Sequence, residues 1–372
     1  MGLRPHLGDC MDLKTWVFEI SQGNYEIDLG DSNAPCRNIN EIAKNIDQVL
    51  DYGWDQGHSN LRKEVAKLYD CDAEEILITH GAQEALFLVY LNLIDIGDEV
   101  ILPTPGWPQS LEAPTRLGAK VVAIPSGSDG EINIEGIISS INDNTKLIVL
   151  NSPGNPTTYE VTESDVVSIV DAIGDRDIFV IFDDEYLVDL RQSMHKLISK
   201  SVSVSSISKV YGFPGLRVGW VKADRKLVDD LRDMKHLTTI SNSILNEKLA
   251  LKILEDKDKY LSSYKYMWGA GKKLILDWVK THSSIFTEVH ISSAPFAWIK
   301  VTERLSSLEF CTAILEEEGI MLMPSEVFGV ENHIRLTFVR EGKELEKALE
   351  KISHQINLRY SLVENYHESV IC

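Results

Sequence analysis

From about residue 76 the chain alternates short runs rich in Val, Ile and Leu with amphipathic stretches of helical length, and this alternation is what most restricts its fold. Ile76–Thr79, Val100–Pro103, Lys120–Ile124, Lys146–Asn151, Phe179–Asp183 and Val202–Ser206 read as strands, and helical patterns open near Gly81, Pro108, Ile132 and Glu163. Runs that are mostly apolar throughout, rather than every second residue, belong to strands covered on both faces. They predict an α/β fold with a mostly parallel sheet between layers of helices. Such sheets take ligands at the carboxyl ends of their strands, so the polar residues directly after each strand are where chemistry is expected.

The pattern changes from about residue 260. A charged amphipathic helix runs through Lys272 to Lys280, and then Phe296–Val301, Ile320–Met323 and His333–Phe338 form short strand-like pieces between helices. A length of 372 residues accommodates two closely packed domains. The expected division is a large domain over residues 46–258 and a smaller α+β domain from residues 1–45, with the turn-rich LGDSNAP, and 259–372.

With 37 basic against 57 acidic side chains, the net charge of -20 repels phosphate backbones and anionic lipid, so neither nucleic acid nor membrane is an expected partner. No run reaches the roughly 20 apolar residues of a membrane span, and MGLRPHLGDCMDL lacks a signal-peptide core. Cys10, Cys36, Cys71, Cys311 and Cys372 are odd in number and scattered, which fits reduced thiols in the cytoplasm. The histidines lack metal-ligand spacing, so no metal is expected, and WGAGKK (Trp268 to Lys273) lacks the first glycine and the Ser/Thr of a phosphate-binding P-loop.

The segment SSISKVYGFPGLRVGW, Ser205 to Trp220, carries the most chemistry. Lys209 follows a β-rich run and enters a Gly/Pro loop, which sets its amine at a strand's carboxyl end beside Ser206, Ser208 and Arg217. Hydroxyls and a guanidinium around one amine suit an anionic phosphate held near a reactive lysine. Upstream, ITHGAQEAL puts Gly81, Ala82 and Gln83 between a strand and a helix, where their N–H groups form an anion site. LPTPGWPQS places Trp107, LNSPGNPTTYE places Asn155, and FVIFDDEYLVDL places Asp183 and Tyr186 at or after strand ends. HIRLTF carries Arg335 inside a β-rich run, and YGWDQGHSNLR carries Tyr52.

Taken in order over nearly the whole chain, these segments resemble the class I/II aminotransferases, pyridoxal-phosphate enzymes of fold type I. The resemblance implies pyridoxal 5'-phosphate bound through a Schiff base to Lys209. It also implies phosphate contacts from Gly81, Ala82, Gln83, Ser206, Ser208 and Arg217, and stacking by Trp107. Asn155 and Tyr186 would reach the phenolic oxygen, Asp183 the pyridine nitrogen, and Arg335 with Asn155 the substrate. Strand alternation allows only one of two adjacent aspartates to face the ring, and the Asp183–Tyr186 spacing favours Asp183. Asp184 is then expected to be solvated or ion-paired, although alignment on Asp184–Glu185 stays open. Tyr52 matches a tyrosine that reaches the neighbouring subunit's phosphate, which implies a homodimer with shared sites. Thr158 departs from the family's usual glycine and puts the local backbone in doubt.

The implied reaction is transfer of an α-amino group from a free amino acid to a 2-oxo acid, with Lys209 as the general base. Elimination or cyclisation of the same bound amino acid is the alternative, since relatives within the superfamily cyclise hydroxylated arginines. Asp28, Asp31 and Asp55 lie in segments that border the family's substrate pocket, and the expected substrate is therefore neutral or cationic.

Overall fold

A computed structural model describes residues 11–44, 47–127, 130–303 and 305–368. Cys10, Cys372 and the expected boundary at residues 45 and 46 lie outside them. In chain order the regular elements begin with β1 (Ile27–Asp28), α1 (Ser59–Tyr69), β2 (Ile76–Thr79), α2 (Gly81–Leu93), β3 (Glu99–Thr104), α3 (Pro108–Arg116) and β4 (Lys120–Pro125). They continue with α4 (Ile134–Ser140), β5 (Thr145–Asn151), α5 (Glu163–Ile173), β6 (Phe179–Asp183), β7 (Ser201–Ser206), β8 (Gly219–Lys222), α6 (Arg225–His236), α7 (Ile244–Glu255) and α8 (Lys257–Thr281). The remainder are β9 (Phe286–His290), β10 (Phe296–Val301), α9 (Ser307–Glu318), β11 (Ile320–Met321), β12 (Met323–Pro324), β13 (His333–Thr337) and α10 (Gly342–Glu368). Among the described residues no helix is long and apolar enough to cross a membrane.

The larger of two compact units holds Asn33–Lys265 with Ser292–Pro295. Its seven-stranded sheet runs β2-β8-β7-β6-β5-β3-β4. The pairs among β7, β6, β5, β3 and β4 are parallel, and β8 is antiparallel to both neighbours. The α/β fold is as the alternation predicts. Strand pleating sorts the side chains between two cores. Leu147, Val149, Ile181, Val202 and Val204 pack with Ala82, Ala85 and Leu86 of α2 and Leu227 and Leu231 of α6. Ile148, Leu150, Val180 and Phe182 pack on the opposite face with Ile137 of α4 and Val166 and Ile169 of α5.

Residues 33–44, 259–265 and 292–295 belong to this larger unit, whereas the sequence assigned them to the smaller one. Local bonding explains the difference. Ala34 N–H donates to the Lys209 carbonyl at 2.9 Å and Arg37 N–H to the Gly212 carbonyl at 3.0 Å. The Arg37 guanidinium lies 5.1 Å from the Tyr260 ring centroid, and that ring packs edge-on against Phe213.

The smaller unit comprises the described residues up to Ser32, Tyr266–Ile291 and the chain from Phe296 onward. It is built on an antiparallel sheet, β12-β13-β10-β9, and a short parallel pair, β1-β11. Phe286, Phe310, Ile314 and Ile352 are among its buried core residues.

Candidate active site

The same pleating that builds the core delivers polar groups to one place. Asn151 extends the Leu147–Val149 face of β5, Asp183 the Ile181 face of β6, and Ser206 the Val202–Val204 face of β7. Asn151 and Asp183 are paired in register. All three therefore emerge at strand ends on the face covered by α2.

A cleft of about 140 Å³ opens there. Asp183, Tyr186, Lys209 and Arg217 line it, with Asn155 and Trp107 across from α2's Ala82 and Gln83, and Ser208. Ser206 lies directly behind, its hydroxyl accepting from Ser208 N–H at 2.9 Å. Trp107 donates its indole N–H to Gln83 Oε1 at 3.1 Å, which fixes the ring at the start of α3. Asn155 N–H donates to Asn151 Oδ1 at 2.7 Å, and Asn151 Nδ2 donates to the Asp183 carbonyl at 2.9 Å. Asn151 thus ties together the loop and the strand that carry Asn155 and Asp183.

Two glycines bring the start of α2 against the loop after β7. Gly81 has φ +77°, and a Cβ there would stand 2.5 Å from Arg217 Nη2. A Cβ on Gly219 would stand 2.6 Å from the Gly81 carbonyl carbon. The guanidinium and the first turn of a 13-residue helix consequently converge, and both attract an anion. Arg217 is itself exposed and donates to the Pro214 carbonyl at 2.9 Å.

Asp183 and Asp184 part as strand alternation requires. Asp183 lines the cleft, where burial, the charge of Glu185 and then that of Asp184 push its carboxyl up to about 8, against the opposing pull of Lys209. Asp184 points to the opposite side and accepts from Ser193 and Ser203 hydroxyls, each at 2.5 Å. It is neither solvated nor ion-paired, which corrects the expectation. Burial raises its carboxyl to about 7 despite those two bonds. The serines of β7 explain the correction: Ser201, Ser203 and Ser205 share the face opposite to Val202 and Val204, and Ser203 and Ser205 meet Asp184 there.

Thr158 adopts φ +66°, the conformation a glycine would supply, so the loop keeps that backbone shape despite the β-branched side chain. Its N–H donates to the Gly154 carbonyl at 2.8 Å.

Four expected residues are not on this cleft's lining: Gly81 and Ser206, whose neighbours Ala82 and Ser208 are, and Tyr52 and Arg335. Tyr52 belongs to the larger unit and is exposed. Arg335 belongs to the smaller unit, buried on β13. Its guanidinium sits 5.1 Å from the Phe296 ring centroid and 5.3 Å from that of Phe328, and it donates to the Gly30 carbonyl at 2.5 Å. The three acids thought to border the substrate have local partners. Asp28 accepts from Gly30 and Asp31 N–H, Asp31 accepts from Ser32 N–H, and Asp55 pairs with His236 at 3.0 Å.

Sequence reasoning missed Asn151 and Glu185 at the cleft. Both stand inside quoted motifs, Asn151 ending a strand and Glu185 two residues beyond Asp183, so strand-end position was the available signal.

The cleft suits a planar heteroaromatic ring that carries a phosphate. An indole is placed for stacking, a buried carboxyl lacks a full cationic partner, and an amine stands among anion-binding groups.

Residues 17–352 match the family described as aminotransferase class I and II. Capreomycidine synthase of Streptomyces vinaceus is 26% identical over 84% of this chain and 83% of its own length. Among solved structures, a PLP-dependent aminotransferase from Streptococcus suis superposes with a TM-score of 0.84 at 25% identity, covering 91% of this chain and 95% of that one. The PLP-dependent cyclase OrfR gives a TM-score of 0.84 at 23% identity, covering 96% of this chain and all of OrfR.

Proposed function

Since the chain belongs to the aminotransferase class I and II family, whose enzymes work with pyridoxal 5'-phosphate, we propose that it moves the α-amino group of a free amino acid to a 2-oxo acid. The observation that carries this reading is the convergence of Lys209, Asp183, Asn155, Tyr186 and Arg217 on one cleft. When bound, the cofactor supplies an aldehyde that condenses with amines and a ring that accepts electrons.

The chain's residues do the rest. Asp183 holds a proton on the ring nitrogen, a role for which a buried carboxyl in need of a cation is suited. Asn155 and Tyr186 would bind the phenolic oxygen, and Trp107 would stack its indole on the ring. The N–H groups of Gly81, Ala82 and Gln83, with Ser206, Ser208 and Arg217, hold the phosphate. Lys209 takes the proton from the substrate's Cα and delivers it on the way to the oxo acid. Arg335, pre-oriented between two rings, receives the substrate carboxylate. Tyr52 serves the phosphate of a second copy in a homodimer. Cys36, Cys71 and Cys311 are reduced cysteines, which supports a cytoplasmic site of action.

The similarity to capreomycidine synthase supports a second reading, in which Lys209 removes the same proton and a leaving group departs from the side chain, giving elimination or cyclisation. A neutral or cationic amino acid fits both readings, because among the described residues the only cations lining the cleft are Lys209 and Arg217 and both are committed. Incubation of the loaded enzyme with single amino acids, arginine and hydroxylated arginines included, and with no 2-oxo acid separates them. Transfer predicts one equivalent of oxo acid per site and then arrest, whereas repeated turnover without an acceptor refutes transfer in favour of the second reading. Lys209→Ala is expected to abolish turnover and the visible absorbance of the lysine-bound cofactor.

A further inference from the structure

The cleft contains an acid for which none of the roles above has a use. Glu185 follows Asp183 by two residues, is buried, and lines the cleft. Its Oε1 has no hydrogen-bond partner among the described residues. The Ser206 hydroxyl hydrogen-bonds the carboxyl, and Lys209 and Arg217 supply the opposing charges. Those three residues are the ones assigned to the cofactor's lysine linkage and phosphate, so a carboxylate and a phosphate would claim the same partners.

We propose that Glu185 is a displaceable internal anion of the phosphate cradle, a carboxylate that shares Ser206, Lys209 and Arg217 until a dianionic phosphate ester enters and that then takes up one proton from solvent. The inference rests on the pyridoxal-phosphate reading. Two anions cannot share one guanidinium and one hydroxyl in a buried site without the weaker acid becoming neutral. Burial already pushes the Glu185 carboxyl up, and Lys209, Ser206 and Arg217 hold it down. A phosphate that engages Arg217 and Ser206 removes that restraint. The charged and titratable groups around Glu185 are Asp183, Asp184 and Tyr186 on its own segment and Lys209 and Arg217 beyond β7. From α2 come only amide N–H groups and the neutral Gln83. Asp183 and Asp184 also titrate near neutral pH, at about 8 and about 7, and both are controlled for below.

Sulfate is the probe of choice, because it carries two charges across the whole pH range used and has no group for Lys209 to condense with. The full chain stripped of cofactor is titrated with sulfate by calorimetry from pH 6 to pH 8.5. The expected result is at least a tenfold loss of affinity over that span in the wild type, in Asp183→Asn and in Asp184→Asn. Glu185→Gln is expected to show a flat profile, at least tenfold tighter binding at pH 8.5, and slower loss of pyridoxal phosphate on dialysis. In wild type, titrations at pH 7.5 in two buffers of different ionisation enthalpy are expected to show close to one proton taken up per sulfate. Absence of proton uptake, or a Glu185→Gln profile with the wild-type slope, overturns the proposal. A chain that never acquires visible absorbance with pyridoxal phosphate would instead defeat the reading of the site on which it rests.

Discussion

At the residue scale, the cradle depends on what Gly81 lacks. With φ +77° it sits where a side chain strains the backbone by about 1–2 kcal/mol, and an added Cβ would press on Arg217 Nη2. The guanidinium can swing away from such a methyl, since it is the end of a long side chain, but it then leaves the N terminus of α2. Gly81→Ala is therefore expected to lower folding stability by about 1–2 kcal/mol in urea unfolding. It is also expected to weaken pyridoxal-phosphate binding at least tenfold in a spectroscopic titration. Unchanged affinity would mean that Arg217 and the helix terminus do not act on one phosphate. Gly219 should tolerate less, because its added Cβ would meet the backbone of Gly81 and Ala82, which has nowhere to move.

At the scale of elements, the end of β6 stores three buried carboxyls in a row, and their placement follows from alternation. Asp184 faces Ser193 and Ser203 and has its carboxyl raised to about 7 from an ordinary value of 3.8. A group raised in the folded state contributes its stability in full below the unfolded value and loses it as pH climbs through the folded one. Asp184→Asn keeps an oxygen for both hydroxyls and removes the charge. The difference in melting temperature between this variant and wild type, both cofactor-free, is expected to be smallest near pH 4, to grow in the variant's favour as pH rises to about 7, and to level off above it. A difference that is constant with pH would show that Asp184 stays ionised throughout. Much of this element was legible in advance: the Val and Ile runs mark β5, β6 and β7, and alternation separates Asp183 from Asp184. The other partners were not legible, because periodicity tells which residues share a face and not what that face meets. Nothing local to Asp184 announces Ser193 and Ser203, and β8 escaped notice as a four-residue strand, GWVK, directly after a loop rich in Gly and Pro.

For the whole molecule, the proposed homodimer asks how a chain of charge -20 would associate with a second copy. Long-range repulsion between two such chains must be offset by apolar surface at short range. Val49, Leu50, Tyr52 and Trp54 would provide it: they are 71–83% exposed on one short segment, and Leu237 and Ile240 are exposed after α6. The base of that segment is held firmly. Buried Lys235 donates to the Asp55 carbonyl at 3.0 Å, the Ile78 carbonyl at 2.8 Å and Asn242 Oδ1 at 2.5 Å. An anchored ribbon that presents four large apolar side chains is suited to docking on an identical chain, and Tyr52 would travel with it to the partner's phosphate. Light scattering is expected to give twice the 41.8 kDa chain mass, with association strengthening as salt screens the repulsion. Leu50→Asp combined with Trp54→Asp should yield monomers that lose pyridoxal phosphate readily. Mixing is the sharper test. In a hybrid of Lys209→Ala and Tyr52→Phe subunits, one site combines an intact Lys209 with an intact Tyr52 from its partner. Cofactor affinity at that site should return to the wild-type value, while the parent Tyr52→Phe dimer binds more weakly. A Tyr52→Phe protein with wild-type affinity, or hybrids no better than that parent, would show that each chain holds its phosphate alone.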